Sequence, residues 1–242
     1  MKFGAGSRLA TFLADANRRV VARTGVAPAQ EPVYQNIFDR DIQALGLTND
    51  FYAVGAAANY SLLYVLLRAV RHFSFQQIVE LGGGQSTLLL NQIVQAKLSS
   101  ANVLTIESDR RWRDLLQSKV SHEVRLIELS QQQYDGFSFS GYDLSATKLP
   151  TAIDLFIIDG PAGGTKINAL SRFGALQIIP SLNRDGFLIV VDDAERSGEN
   201  ALCEAIEKKI REMGIDFQTG IVKAAKQQRL FAAGKFLPAA FY

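Results

Sequence analysis

The chain has 242 residues, of which 48% are hydrophobic and 21% charged, and a formal net charge of +2. That is the balance of a soluble globular protein with room for a substantial core, most simply one domain with an appendage. The near-neutral charge argues neither for nor against nucleic acid, and the single cysteine, Cys203, excludes an internal disulfide framework and fits a reducing compartment.

Residues 1–74 read as helical and separate from the rest of the chain, an N-terminal helical extension. Leu9, Phe12, Leu13, Ala16 and Val20 recur at helical spacing, with Arg18, Arg19 and Arg23 mostly off that stripe. The plain reading is a helix docked on the body or on a second subunit; a basic amphipathic helix can also lie on a membrane surface. Pro28 and Pro32 mark a break, a second helix covers Ile37 to Leu45, and Leu62, Leu63, Leu66, Leu67 and Val70 form the face of a third. The uncharged stretch from Phe51 to Leu67 is too short and too polar to span a membrane, and no secretory leader is read before Arg8, Asp15 and Arg18. The expectation is a cytoplasmic protein.

From Ile78 onward, short apolar runs alternate with helix-length segments. The runs are Ile78 to Leu81, Val103 to Ile106, Val124 to Ile127, Ile153 to Ile158 and Phe187 to Val191, with helices expected at Ser86 to Lys97, Arg110 to Lys119, Lys166 to Ile179 and Asn200 to Met213. Near-continuous apolar strands separated by helices predict a doubly wound α/β sheet covered on both faces. Asp216 to Val222 and Arg229 to Ala233 are too close together for a crossover helix and predict a terminal antiparallel hairpin. Between Ser130 and Thr151 the alternation of Phe137 and Phe139 suggests a small hairpin, as a covering flap or a substrate lid.

The first strand runs into Glu80, Gly82, Gly83, Gly84, Gln85, Ser86 and Thr87, a strand, a tight turn and a helix start. Glycines let a ligand approach the backbone, and the first helical N–H groups offer it donors. A glycine turn is also a plain packing device; the stronger sign is that acids stand at or just inside the carboxyl ends of four strands, where open parallel sheets bind ligands. They are Glu80, Glu107, Asp159 and the pair Asp192 and Asp193. Glu107, 23 residues after Gly84, is placed to accept from both hydroxyls of a ribose. Glu80 is placed to accept from a ligand ammonium or to position the loop. Asp159 opens a second glycine-rich loop, D-G-P-A-G-G-T, and with Asp192 and Asp193 offers oxygens to a hard cation such as Mg²⁺, although acids after strands also cap the next turn.

E-L-G-G-G-Q-S-T, T-I-E-S-D-R-R-W, F-I-I-D-G-P and G-F-L-I-V-V-D-D-A-E-R, in that order, resemble the successive motifs of class I S-adenosylmethionine-dependent methyltransferases, particularly bacterial members with a G-G-x-S-T loop. The resemblance covers about Phe75 to Ala233. It implies a Rossmann-like S-adenosylmethionine-binding domain over 75–242, seven strands with the last antiparallel. It implies that Gly82, Gly83, Gly84, Gln85, Ser86 and Thr87 lie near the methionine part of the cofactor, that Glu107 holds the ribose, that Ser108 and Trp112 flank the adenine, and that Asp159 lies beside the methyl donor and acceptor. In catechol-type O-methyltransferases, one acid after the fourth strand and an acid-amide pair after the fifth hold Mg²⁺; the corresponding places here are Asp159, Asp192 and Asp193. The lysine base of those enzymes is replaced here by Ala162; the nearest lysine, Lys166, falls at an expected helix start, and Asp159 and Lys166 are the candidate catalytic residues. His72 and His122 read as packing or surface residues.

The expected function is methyl transfer to oxygen of a small molecule or a cell-surface sugar precursor, with no nucleic-acid partner, no stable membrane insertion and a possible homodimer. The alternatives are a nicotinamide-dependent oxidoreductase, against which the terminal hairpin and the lack of a Tyr-x-x-x-Lys pair argue, and a non-catalytic methyltransferase-like binding module.

Overall fold

In the computed structural model, residues 5–53, 57–145 and 147–242 are described. Helices α1 (Ala5–Thr24), α2 (Glu31–Ala44) and α3 (Tyr60–His72) precede strand β1 (Gln77–Leu81). Then come α4 (Gln85–Gln95), β2 (Asn102–Glu107), α5 (Arg110–Gln117), β3 (Glu123–Leu126), β4 (Leu129–Tyr134), β5 (Phe137–Tyr142) and β6 (Leu155–Ile158). The chain closes with β7 (Leu188–Val191), α6 (Ser197–Glu212), β8 (Phe217–Lys223) and β9 (Gln227–Ala233). The main sheet has seven strands in the order β3-β2-β1-β6-β7-β9-β8. The pairs from β3 to β7 are parallel, and β9 runs antiparallel to both β7 and β8. This is the Rossmann-like methyltransferase sheet expected from the sequence.

Every residue of β6 and β7 is buried, as central parallel strands require. Alternation along each strand feeds two cores. Leu155, Ile157, Leu188 and Val190 face one that holds α3 and the inner face of α2, including Phe38 and Ile42. Phe156, Ile158, Ile189 and Val191 face the other, with Leu202 and Ile206 of α6. Asn59 caps α3 by accepting from the Leu62 N–H, and nine of its thirteen residues are buried. The third helix therefore caps the sheet as an integral layer.

Two parts of the N-terminal reading turn out differently or fall outside view. Phe12, Leu13 and Val20 are 68%, 57% and 45% exposed, so α1 does not bury that stripe on its own body; the side chain of Leu9 lies outside the described residues. Residues 54–56 of the uncharged stretch also lie outside them, and no described helix is long and apolar enough to cross a membrane.

The helix expected from Lys166 to Ile179 is not formed. Turns lead into two 3-10 helices, Ser171–Gln177 and Ile179–Ser181. Packing overrides propensity here: Ser171 Oγ donates to the Ala162 carbonyl, Gly174 lies against the Tyr142 backbone, and Pro180 has no N–H to continue a helix. The small hairpin is present as β4 and β5, joined by Asp135-Gly136. It buries Phe139 and Tyr142 in the α6 layer, and no described residue of it lines the cleft at the carboxyl ends of the parallel strands. It is a covering flap.

Candidate cofactor cleft

A cleft of about 540 Å³ opens at the carboxyl ends of β1, β2, β6 and β7, a volume typical of small-molecule sites. Its floor is Gly82 to Gln85, one wall is Glu107, Ser108, Asp109 and Trp112, and the opposite wall is Asp159 to Gly163 with Arg172, Asp193 and Arg196. Ala57 and Ala58, just before α3, close a further side.

The floor is shaped by close backbone approach. Gly82 has φ +85° and a Cβ there would stand 2.6 Å from Gly160 Cα, so the two glycine loops touch. A Cβ on Gly84 would meet nothing within 4 Å, so that position opens on free space. The first N–H groups of α4 have no partner inside the helix and lie at this floor.

Glu107 is 8% exposed. Its Oε1 accepts from the N–H of Ser108 (2.6 Å) and Asp109 (2.8 Å), and its Oε2 from the N–H of Gly83 at 3.1 Å. The doubly loaded oxygen locks the turn after β2, while Oε2 keeps a lone pair for a further donor. Trp112 Nε1 donates to the Gly83 carbonyl at 2.7 Å, so the indole is held at the rim as a flat surface. Gln85 Oε1 accepts from Tyr52 N–H at 3.2 Å and ties the N-terminal segment to the floor.

Three residues read as cofactor contacts stand behind the floor instead. Glu80, Ser86 and Thr87 are fully buried and do not line the cleft. Glu80 Oε2 accepts from Thr87 Oγ1 (2.6 Å) and Thr105 Oγ1 (2.8 Å), and Thr87 Oγ1 in turn accepts from Gly84 N–H at 2.9 Å. Glu80 thus positions the loop. Burial pushes its carboxyl above the usual range against the pull of the Ser86, Thr87 and Thr105 hydroxyls. Lys166 is exposed and lies off the cleft, because the turn that replaces its expected helix carries it outward. It has no place as a base.

The acids after β6 and β7 do converge: carboxylate oxygens of Asp159, Asp192 and Asp193 lie within 4.8 Å of one another. Cations stand among them. Arg172, 4% exposed, donates to the carbonyls of Asp159 (2.9 Å), Asp192 (2.9 Å) and Pro161 (3.2 Å), and its Nη2 is 2.9 Å from Asp193 Oδ2 and 3.4 Å from Asp159 Oδ1. Lys226 Nζ is 3.0 Å from Asp192 Oδ2 and 3.4 Å from Asp193 Oδ1. Gln228 Nε2 donates to Asp192 Oδ1 at 2.6 Å, and Arg196 Nη1 pairs with Asp193 Oδ2 at 2.8 Å. Asp192 is fully buried and off the cleft; Asp159 and Asp193 line it. Burial and then Asp192 raise Asp159 well above the carboxylate range, whereas Lys226, Gln228 and Arg172 hold Asp192 below it despite burial. A Mg²⁺ ion needs near-octahedral oxygen coordination, and both oxygens of Asp192, Oδ2 of Asp193 and Oδ1 of Asp159 already face nitrogen donors. The donor set does not fit a metal.

Arg172, Lys226, Gln228 and Arg196 were not singled out from the sequence. Arg172 left one trace, as the only charge between Ile167 and Ile179. Lys226 sits in a polar turn that gives no sign of reaching a buried carboxylate.

No family model and no curated protein matches the chain. Solved structures do match it. An O-methyltransferase from Bacillus cereus, in complex with S-adenosylhomocysteine, is 16% identical with a TM-score of 0.47, over 91% of this chain and 97% of that one. A precorrin-6y C5,15-methyltransferase from Geobacter metallireducens is also 16% identical with a TM-score of 0.47, over 78% and 97%. A Podospora anserina methyltransferase with S-adenosylhomocysteine bound is 14% identical with a TM-score of 0.46, over 96% and 97%. The strand order of the chain's own sheet, with β9 inserted antiparallel beside β7, carries its resemblance to the class I S-adenosylmethionine-dependent methyltransferases.

Proposed function

We propose that the chain is an S-adenosylmethionine-dependent methyltransferase that methylates oxygen of a small molecule or sugar precursor. The observation that carries this reading is one cleft holding the glycine floor and Glu107 at one end and Asp159 at the other. Gly82 to Gln85 and the α4 N-terminus receive the methionine part, the open lone pair of Glu107 Oε2 receives a ribose hydroxyl, and Ser108 and Trp112 flank the adenine. The bound sulfonium supplies an already activated methyl group, so the protein's tasks are alignment, proton removal and exclusion of water. With Lys166 outside the cleft, Asp159 is the residue of this chain placed to take the acceptor's proton or to orient its hydroxyl.

In this reading residues 75–242 are the cofactor-binding domain and 1–74 a helical extension that contributes Ala57 and Ala58 to the cleft. The reading includes a cytoplasmic setting, consistent with the single buried Cys203, and a homodimer through the exposed stripe of α1; light scattering at the monomer mass would remove the dimer.

Calorimetric titration with S-adenosylhomocysteine tests the reading, with NADH as control and with Glu107→Ala and Gly84→Val variants. Gly84→Val places its side chain in open space, so it should block the floor without a clash inside the protein. Binding of the thioether, lost in both variants, supports the methyltransferase. NADH binding alone would make it an oxidoreductase, and binding of neither a silent module.

A further inference from the structure

Three carboxylates at the end of a cofactor cleft invite a divalent ion, and the structure surrounds them with three positive charges instead, Arg172 and Lys226 buried and Arg196 35% exposed. Asp192 has one oxygen on Lys226 Nζ at 3.0 Å and the other on Gln228 Nε2 at 2.6 Å. Asp193 has one oxygen between Arg172 (2.9 Å) and Arg196 (2.8 Å), and its other oxygen faces Lys226 at 3.4 Å. Asp159 has Oδ1 facing Arg172 at 3.4 Å. The side chains of Arg172 and Lys226 are 5% and 13% exposed, so neither is a surface pair that water screens. Glu199, also buried, adds a fourth acid with Oε1 3.6 Å from Arg172 Nε.

The two buried charges, Arg172 and Lys226, carry the same total charge as one Mg²⁺, with Arg196 adding a third nearer the surface, and unlike an ion they are tethered. Arg172 also bonds the backbone carbonyls at the ends of β6 and β7, and Lys226 Nζ bonds the Ala57 carbonyl at 3.2 Å on the cleft wall. The pair therefore offsets two of the acid charges and fixes three cleft-forming segments against one another. An added divalent ion would have to displace these donors and would meet their repulsion.

We propose that Arg172 and Lys226 stand, as built-in cations, in the place of a divalent metal among Asp159, Asp192 and Asp193, so that the cleft works without a bound ion. The inference concerns the cleft of the methyltransferase reading, and its test needs neither turnover nor cofactor, so the two can fail separately.

The test is titration of the full chain with Mn²⁺, following the free ion by electron paramagnetic resonance, for wild type, Asp159→Asn and Asp193→Asn. Asn keeps the size of Asp and tolerates the left-handed backbone of residue 193, at φ +58°. The expected result is no site tighter than about 1 mM that depends on either acid. One ion per chain bound more tightly than that, and weakened about tenfold or more by either variant, overturns the proposal. A second arm follows thermal unfolding of Lys226→Met. Its midpoint should fall and recover in part on adding Mg²⁺, while the wild-type midpoint stays indifferent to the ion. A fall without recovery would make Lys226 a structural tie only, and would overturn its assignment to the metal's place.

Discussion

Trp112 Nε1 donates to the carbonyl of Gly83 at 2.7 Å, which joins the start of α5 to the glycine floor across the cleft mouth. This is the chain's only tryptophan, so its emission reports on the cleft alone. Saturating S-adenosylhomocysteine should change that emission, with a midpoint matching calorimetry. Trp112→Phe keeps an aromatic face and removes the donor, and should weaken binding by roughly fivefold to tenfold, about 1 kcal/mol. Emission indifferent to bound ligand would place the adenine elsewhere.

Glu80 acts on the ligand only through Thr87 and the loop. Glu80→Gln keeps an acceptor for the Thr87 and Thr105 hydroxyls without a charge, and should bind S-adenosylhomocysteine as wild type does. Glu80→Ala leaves two buried hydroxyls without their acceptor and should cost about 1–3 kcal/mol of stability. The folded carboxyl is raised above its ordinary 4.5, so its contribution to stability is full below that pH and is lost as pH rises through the folded value. Denaturant unfolding of Glu80→Gln should lack that decline. A folded Glu80→Gln that no longer binds would show direct contact with the ligand.

Arg172 bonds the carbonyls at the ends of both β6 and β7. Arg172→Met strips Asp159 and Glu199 of their nearest buried counter-charge and leaves Asp193 with Arg196 and Lys226 only, and should cost about 3–5 kcal/mol in urea unfolding. Arg172→Lys restores charge without the planar fork that reaches three carbonyls, and should fall between the two. Equal stability of Met and wild type would mean that the cluster is dispensable to the fold.

His122 Nε2 lies 3.2 Å from Thr105 Oγ1, and its Nδ1 is buried without a partner among the described residues. Burial lowers its pKa from 6.5 to about 4. The unfolded chain therefore takes up a proton that the folded chain refuses, and stability present above pH 6.5 is lost as pH falls toward about 4. His122→Gln should flatten the unfolding midpoint across that window. An unchanged acid limb would assign the loss to the carboxylates.

The sheet was readable because central parallel strands are buried on both faces and must be continuous apolar runs. Ile153 to Ile158 and Phe187 to Val191 announce β6 and β7 on composition alone. The short polar link Lys223 to Gln228 forces an antiparallel hairpin, since no crossover helix fits in it. The convergence of Asp159, Asp192 and Asp193 follows from the same topology, because residues just past neighbouring parallel strands must be neighbours.

What each acid touches was decided by the tertiary structure. Glu80, one residue inside the end of β1, and Glu107, the last residue of β2, stand on adjacent strands in similar sequence settings, yet Glu80 lies behind the loop and Glu107 on the cleft wall. Glu80 pairs in register with Thr105, so Glu107, two residues further along β2, shares its face; the difference is depth, with Glu80 one step back beneath the glycine turn and Glu107 beyond it on the cleft wall. Lys166 and Arg172 were exchanged in importance because packing of Gly174 on Tyr142 replaced a helix with turns, moving the lysine outward and the arginine under the acids. Lys226 reaches Asp192 from 34 residues away, and no local pattern records a partner at that separation. The sequence by itself determined where the strands end and that acids gather there. Which acid meets a ligand and which meets a cation depended on contacts between distant segments, whose energies are set by burial in the assembled fold.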